Sequence, residues 1–255
     1  MNVAQKVHGG SGQPPAEAPG RPILRPILGI VGGMGPLASA EFLRTIYRLN
    51  LREPEQTAPA CILYSDPSFP DRTEAILTGR TEILAERLSR AVADLVAREA
   101  SRVVIACVTV HCVLASLPPP LREKVVSLVD LTIDELLGAG EGPFLLLATN
   151  GTRAARIFEG HERWGAVADR VIFLGEEDQE QLHAWVYRLK TGEPGGPCLD
   201  WLSSLCGRYG AAGLIFGCTE LHLLREPIAA RGGEAFCGRI VDPLWVAARD
   251  LAKPV

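Results

Sequence analysis

The chain has no Lys/Arg-rich run, no apolar stretch long enough to span a bilayer, and no cysteine spacing of a disulfide framework. Each absence removes a class of function. A formal net charge of −4 without a basic patch argues against nucleic acid or a membrane surface as partner. No segment qualifies as a transmembrane helix. The seven cysteines are odd in number, and the beginning of the chain lacks the basic and apolar regions of a secretory signal. A reduced, cytosolic protein is therefore expected. What is present is a chain of 255 residues, 47% hydrophobic and 22% charged, long enough for two modest domains with cores of their own.

One pattern occurs twice and organises the rest: Val103-Val104-Ile105-Ala106-Cys107-Val108-Thr109-Val110-His111 and Leu214-Ile215-Phe216-Gly217-Cys218-Thr219-Glu220-Leu221-His222. Each begins as an apolar run that reads as a buried parallel strand, then reaches a cysteine, a threonine and a helical pattern. Each cysteine is thereby placed at the carboxyl end of a strand, where open α/β sheets bind ligands. It also lies near a helix amino end, where free N–H groups and the dipole favour a thiolate. Cys107 and Cys218 therefore predict two similar half-domains facing each other across a cleft.

Along the chain, residues 1–26 are rich in Gly, Pro and Ala without periodicity and read as a disordered tail. Ile27–Val31 reads as a strand, followed by Gly32-Gly33-Met34-Gly35-Pro36 and a helix to Asn50; the glycines allow backbone to come close to something bound. Further strands are expected at 61–65, 125–129, 144–148, 171–174 and around Ile240, with helices over 80–100, 131–137, 176–190, 199–209 and 243–252. Leu84, Leu88, Ala91, Val92, Leu95 and Val96 form one apolar stripe that covers a sheet. The class is α/β, with two pseudo-symmetric half-domains, each a short, mostly parallel sheet flanked by helices, and the active site in the cleft between them. The expected boundaries are 27–124 with 238–255 for the first and 125–237 for the second.

Several residues carry two readings. Arg72 ends a loop, 66–72, that two prolines stiffen, so its guanidinium is presented for bidentate carboxylate binding; the bland alternative is a surface pair with Asp71 or Glu74. Thr149-Asn150-Gly151-Thr152 is an anion cradle or an ordinary N-cap. Lys190, ahead of Gly192, is commonly just a partner for a helix dipole. Gly33-Met34-Gly35-Pro36-Leu37-Ala38 also fits a dinucleotide fingerprint, with Asp66 as the ribose acid, but Pro36 removes a donor and Asp66 lies late. Cys107-x3-His111 with Cys218-x3-His222 is a conceivable zinc set without the usual partner spacing. A non-enzymatic binding protein with buried cysteines is a further alternative, and core packing is the expectation for Cys61, Cys112, Cys198, Cys206 and Cys237.

Taken together, Gly32-Gly33-Met34-Gly35-Pro36, Pro70-Asp71-Arg72-Thr73, Cys107-x-Thr109-x-His111, Leu146-Leu147-Ala148-Thr149-x-Gly151-Thr152, Lys190-x-Gly192, Gly217-Cys218-Thr219-Glu220 and Asp242-Pro243 occur in an order that resembles the cofactor-independent aspartate racemases of the aspartate/glutamate racemase superfamily. The resemblance covers about residues 27 to 252. It implies racemisation of aspartate without pyridoxal phosphate or metal, Cys107 and Cys218 removing and returning the Cα proton from opposite faces. It assigns the side-chain carboxylate to Arg72 and Lys190. The α-carboxylate and amine fall to Thr109, Thr152 and Thr219, with Val108, Val110 and Asn150 beside them. Gly33 and Met34 become pocket wall, and His111 and Glu220 hold or tune the thiols. A homodimer is implied. The Gly/Pro-rich loops at 66–72 and 194–197 are candidates to move as the cleft closes over a substrate.

One position departs from the pattern. The residue after the first cysteine is commonly Asn in the family and is Val108 here, which leaves only a backbone N–H for the substrate. Neighbouring chemistry on the same scaffold, isomerisation of an unsaturated diacid or decarboxylation of a malonate, needs one cysteine and less symmetry than this chain carries.

Overall fold

The computed structural model describes residues 26–51, 54–140, 142–233, 236 and 238–250. The tail expected over 1–26 falls outside them but for Pro26, as do Cys237 and the end of the last helix beyond Asp250.

The fold is α/β, with two four-stranded sheets that are parallel throughout. The first holds β1 (Ile27–Gly32), β2 (Ala60–Ser65), β3 (Ala100–Ile105) and β4 (Val125–Val126), in the order β2-β1-β3-β4. The second holds β5 (Phe144–Leu147), β6 (Val171–Phe173), β7 (Gly213–Phe216) and β8 (Arg239–Val241), in the equivalent order β6-β5-β7-β8. Their apolar runs suit strands covered on both faces.

Helices α1 (Pro36–Asn50), α2 (Arg72–Leu77), α3 (Glu82–Ala97), α4 (Pro119–Arg122) and α5 (Leu128–Leu137) belong to the first part of the chain. α6 (Asn150–Ala154), α7 (Glu176–Lys190), α8 (Gly196–Tyr209), α9 (Arg225–Ala230) and α10 (Pro243–Asp250) follow. Alternation along the strands divides the core into three. Leu28, Ile30, Val104, Leu146 and Ile215 point into one central cluster shared by both sheets, closed by Phe42, Leu128 and Leu244. Val31, Val103 and Ile105 point the other way, onto α3. Leu145, Leu147, Leu214 and Phe216 point onto α7 and α8. A period of two along each strand makes this division.

The strand pairing differs from the expected boundaries at two points. Val125–Val126, expected in the second half, pairs with Val103–Val104 of β3, because the short α4 turn returns the chain beside the strand it has just left. Arg239–Val241, expected in the first, pairs with Gly213–Ile215 of β7 for the same reason. The last helix, α10, packs on α1 and α5. Local differences bear on the site. Arg72 is not in a loop but opens α2, whose N-cap Asp71 accepts the Glu74 N–H at 2.9 Å. Helix α5 begins three residues early, at Leu128, because Ser127 caps it through the Asp130 N–H. Both segments after the cysteines are 3₁₀ rather than α-helical, Thr109–Ser116 and Thr219–Leu224. The chain leaves β3 and β7 through i to i−2 bonds, Cys107 N–H to the Ile105 carbonyl and Gly217 N–H to the Ile215 carbonyl, and 3₁₀ pieces are usual in such tight connections.

Among the described cysteines, Cys61, Cys107, Cys112, Cys198 and Cys218 are free, whereas Cys206 is disulfide-bonded. Cys206 is thus not the free thiol expected, while it packs against the core of the second half as expected. No helix of the described residues is long and apolar enough to cross a membrane.

Candidate active site

The carboxyl ends of the two sheets face each other, and one small cavity forms between them. From the first half Met34, Asp71, Arg72, Thr73, Cys107, Val108 and Thr109 line it; from the second, Thr149, Lys190, Cys218, Thr219 and Glu220. Its free space is about 10 Å³, room for roughly one water. An amino acid is therefore admitted only if the halves part. Two roomier cavities, about 450 Å³ and about 520 Å³, touch neither cysteine. Convergence of nucleophiles, cations and acids, not volume, marks the small one.

Cys218 ends the second pattern's strand and is fully enclosed. Its Sγ donates to Glu220 Oε2 at 2.9 Å. Burial first, then the Glu220 carboxylate, pushes the thiol well above its ordinary pKa against the opposing charge of Lys190, so Cys218 rests protonated. The thiolate expected from a helix end is thus not found at Cys218: a two-turn 3₁₀ segment offers little dipole, and an adjacent anion outweighs it. The other Glu220 oxygen, Oε1, is buried without a hydrogen-bond partner. It lies against Gly35, where an added Cβ would come within 2.6 Å of it. The close approach that the Gly-rich turn provides is therefore to this carboxylate.

Arg72 is only 8% exposed. Its Nη2 donates to the Met34 carbonyl at 2.6 Å and its Nη1 to the Pro70 carbonyl at 3.0 Å, which fixes the plane of the guanidinium. Burial alone would lower its pKa, but Cys107 foremost, then Asp71 and Glu220, raise it and hold it cationic. Tyr187, on α7, donates to Asp71 Oδ2 at 2.6 Å across the cleft. Lys190 Nζ sits 4.2 Å above the Tyr187 ring. Burial would raise the Asp71 pKa; the Tyr187 O–H, the Glu74 N–H and the two cations overturn it, so Asp71 stays a carboxylate.

The threonines join the halves. Thr109 Oγ1 lies 3.1 Å from Thr149 Oγ1 and 2.9 Å from Thr152 Oγ1, and the last two are 3.0 Å apart. Thr219 Oγ1 donates to the Ala106 carbonyl at 3.1 Å, reaching back to the residue before the other cysteine. Gly151 permits the contact of α6 with α2, since a Cβ there would lie 2.8 Å from Thr73 Cα.

His111 does not touch the Cys107 thiol. The Leu128 N–H donates to its Nε2 at 3.1 Å, so Nδ1 carries the proton and donates to the Cys107 carbonyl at 2.9 Å. Burial pushes its pKa down to about 4, and it stays neutral as a clamp on the Cys107 backbone. His222 is likewise committed, to Asp242 Oδ2 at 2.6 Å and Thr45 Oγ1 at 3.0 Å. The two imidazoles of the zinc reading thus face different protein partners, and no metal-holding group of three His, Cys, Asp or Glu occurs among the described residues. Asp66, the ribose acid of the dinucleotide reading, is held by Ser68 and Arg87.

Of the residues singled out by sequence, Met34, Arg72, Val108, Thr109, Lys190, Thr219 and Glu220 line the cavity with both cysteines. Gly33, Val110, Asn150, Thr152 and His111 do not. Gly33 has φ +92 and packs on the Asp66 backbone. Val110 is buried with the α3 cluster. The Asn150 amide bonds Glu180 and Gln179 at 2.9 and 2.8 Å. Thr152 stands behind Thr109 and Thr149. Asp71 and Thr73 are not among the residues the sequence singles out for the site, although Asp71 caps the helix that opens beside the cavity. Thr149, read with its turn as an anion cradle or an N-cap, caps α6 and also lines the cavity. Val108 lines the cavity and joins the central core, so its apolar side chain has neighbours that an amide would lack.

Comparison with known proteins agrees with this architecture. The profile of the family described as Asp/Glu/hydantoin racemase matches residues 31–251. Picrophilus torridus aspartate racemase superposes with a TM-score of 0.74 at 22% identity, covering 89% of this chain and 94% of that one. A glutamate racemase from Campylobacter jejuni gives 0.58 at 17%, covering 88% and 84%. Allantoin racemase from Klebsiella pneumoniae gives 0.54 at 13%, covering 89% and 86%.

Proposed function

The chain belongs to the Asp/Glu/hydantoin racemase family, and from that premise we propose that it interconverts L- and D-aspartate through Cys107 and Cys218. One observation carries the reading: two cysteines, each at the end of an equivalent strand, line a single cavity with two cations, Arg72 and Lys190. Inversion of Cα needs one group to take its proton and another, on the opposite face, to return one. In one direction the Cys107 sulfur takes the Cα proton as a thiolate, and the Cys218 thiol, loaded beside Glu220, delivers its own to the other face. The roles exchange for the opposite enantiomer. Free N–H groups of the two cysteine turns, the threonine hydroxyls and the cations stabilise charge that develops on the α-carboxylate. Two cations facing one cavity favour a diacid.

The test is proton NMR of the protein with L-aspartate in D₂O, with chiral chromatography on the same samples, for wild type, Cys107→Ser and Cys218→Ser. Exchange and inversion by wild type, with inversion lost in both variants, is the expected result. Aspartate left unexchanged while glutamate is inverted moves the substrate to the longer diacid. Inversion that survives either serine variant removes the two-thiol mechanism.

A further inference from the structure

A second polar cavity, of about 450 Å³, opens where the last helix meets the first. Arg48 of α1, Arg225 of α9, Arg239 of β8 and Arg249 of α10 line it, against the acids Glu135 and Glu226. Each acid is doubly engaged. Glu135 accepts from Arg239 Nη2 at 2.6 Å and Arg249 Nη2 at 3.0 Å, and Glu226 pairs with Arg44 and Arg48. Among the described lining residues four arginines face two glutamates, and Asp250 pairs with Arg249 Nε at 3.0 Å. Arg225 is the arginine of the four with the weakest ion pair. Its side chain is only 22% accessible, and its nearest ion-pair contact, Asp242 Oδ2, is 3.9 Å away and already bonded to His222 at 2.6 Å. The guanidinium stacks 4.3 Å over the Trp245 ring, and both side chains line the cavity.

We infer that this cavity is an anion site, separate from the cysteines, for a compact phosphate-type dianion. Guanidinium groups approach from four different elements, and a tetrahedral oxyanion accepts donors from several directions, whereas a planar carboxylate is satisfied by one fork. The place is distant from the catalytic cavity: α1 starts beside Glu220 and reaches Arg48 roughly 18 Å further on, at 1.5 Å per residue. It is also connected to it, since the segment that begins at Cys218 runs through His222 into Arg225.

The test is calorimetric titration with inorganic phosphate at fixed ionic strength, on wild type, Arg225→Lys, Arg239→Gln and Arg72→Gln. Arg225→Lys keeps the charge beside Asp242 and so keeps the fold, but removes the fork. Saturable one-to-one binding is expected, weakened at least about 10-fold in the Arg225 and Arg239 variants and retained in Arg72→Gln. Absence of saturable binding overturns the inference, as does equal affinity in wild type and both cavity variants. Loss in Arg72→Gln alone also overturns it, by placing the phosphate beside the cysteines. Succinate binding more tightly than phosphate in an Arg225-dependent way overturns the phosphate class. Because binding is read without turnover, the result does not depend on the racemase reading.

Discussion

Cys218 Sγ donates a hydrogen bond of 2.9 Å to Glu220 Oε2, between two residues that are 3% and 2% exposed. A thiol in that position is a stored proton, and the carboxylate that holds it is the group that must let it go. Replacing Glu220 by Gln keeps the size and removes the charge. We predict that Glu220→Gln lowers kcat on the order of 100-fold, the scale of a positioned acid/base group, with KM changed far less. It also moves the alkaline limb of the pH–rate profile toward lower pH, because the anion that raises the Cys218 pKa is gone. Steady-state kinetics across pH 6 to 10 checks this; an unmoved limb with full kcat removes Glu220 from the chemistry.

Gly35→Ala provides an independent probe of the same carboxylate. The backbone there is extended, with φ −117 and ψ 134, which alanine adopts freely. The new methyl would nonetheless meet Glu220 Oε1 at 2.6 Å. The expected outcome is a loss of kcat of about 10-fold or more with little change in unfolding temperature. Gly33→Ala is the contrast: its φ of +92 and the Asp66 backbone 2.3 Å from an added Cβ make it a folding defect. Thermal melts beside kinetics separate the two.

Tyr187 of α7 and Asp71 at the start of α2 tie the two halves together beside the cavity. Tyr187→Phe removes the 2.6 Å bond while leaving the ring under Lys190. Faster hydrogen exchange in the Arg72–Leu77 helix is expected, with KM raised several-fold and kcat less affected. Exchange that matches wild type would show that the halves are held by other contacts.

His111 predicts how the protein responds to acid. Its folded pKa, about 4, lies below the ordinary 6.5, so the neutral clamp contributes fully above pH 6.5 and is lost as pH falls toward 4. At about 1.4 kcal/mol per pKa unit, the loss approaches about 3 kcal/mol. Urea unfolding at pH 7, 5.5 and 4 checks it. His111→Gln, less stable at pH 7, should lack this part of the decline; a parallel decline in both proteins refutes the assignment.

Much of the fold was legible because the strands are fully covered and the long helices carry their own punctuation: α1 and α7 run over the residues expected, 36–50 and 176–190. The exchange of Val125–Val126 and Arg239–Val241 between sheets was not, since a two- or three-residue edge strand is assigned by pairing and carries no pattern of its own. At the site, both cysteines stand out through the repeated pattern that carries them, whereas Arg72 and Lys190 have bland readings as residues and are assigned to the substrate only by the family resemblance. Side-chain direction does not stand out. His111 was expected to serve a thiol and instead holds a carbonyl, and Asn150 turns to α7, because both choices depend on partners 17 to 30 residues away.

The three hydroxyls of Thr109, Thr149 and Thr152 form a closed triangle in which every oxygen is within 3.1 Å of the other two. Each can give one hydrogen and accept another, so the circuit can run in either direction, with Thr149 Oγ1 accepting the Thr152 N–H at 3.2 Å as well. A carboxylate arriving at Thr109 or Thr149 breaks one side of the triangle and turns a hydroxyl outward, while the remaining two sides re-form in the direction left open. The donor that this wall of the cavity offers is therefore set by rotation of hydroxyls and needs no movement of the backbone.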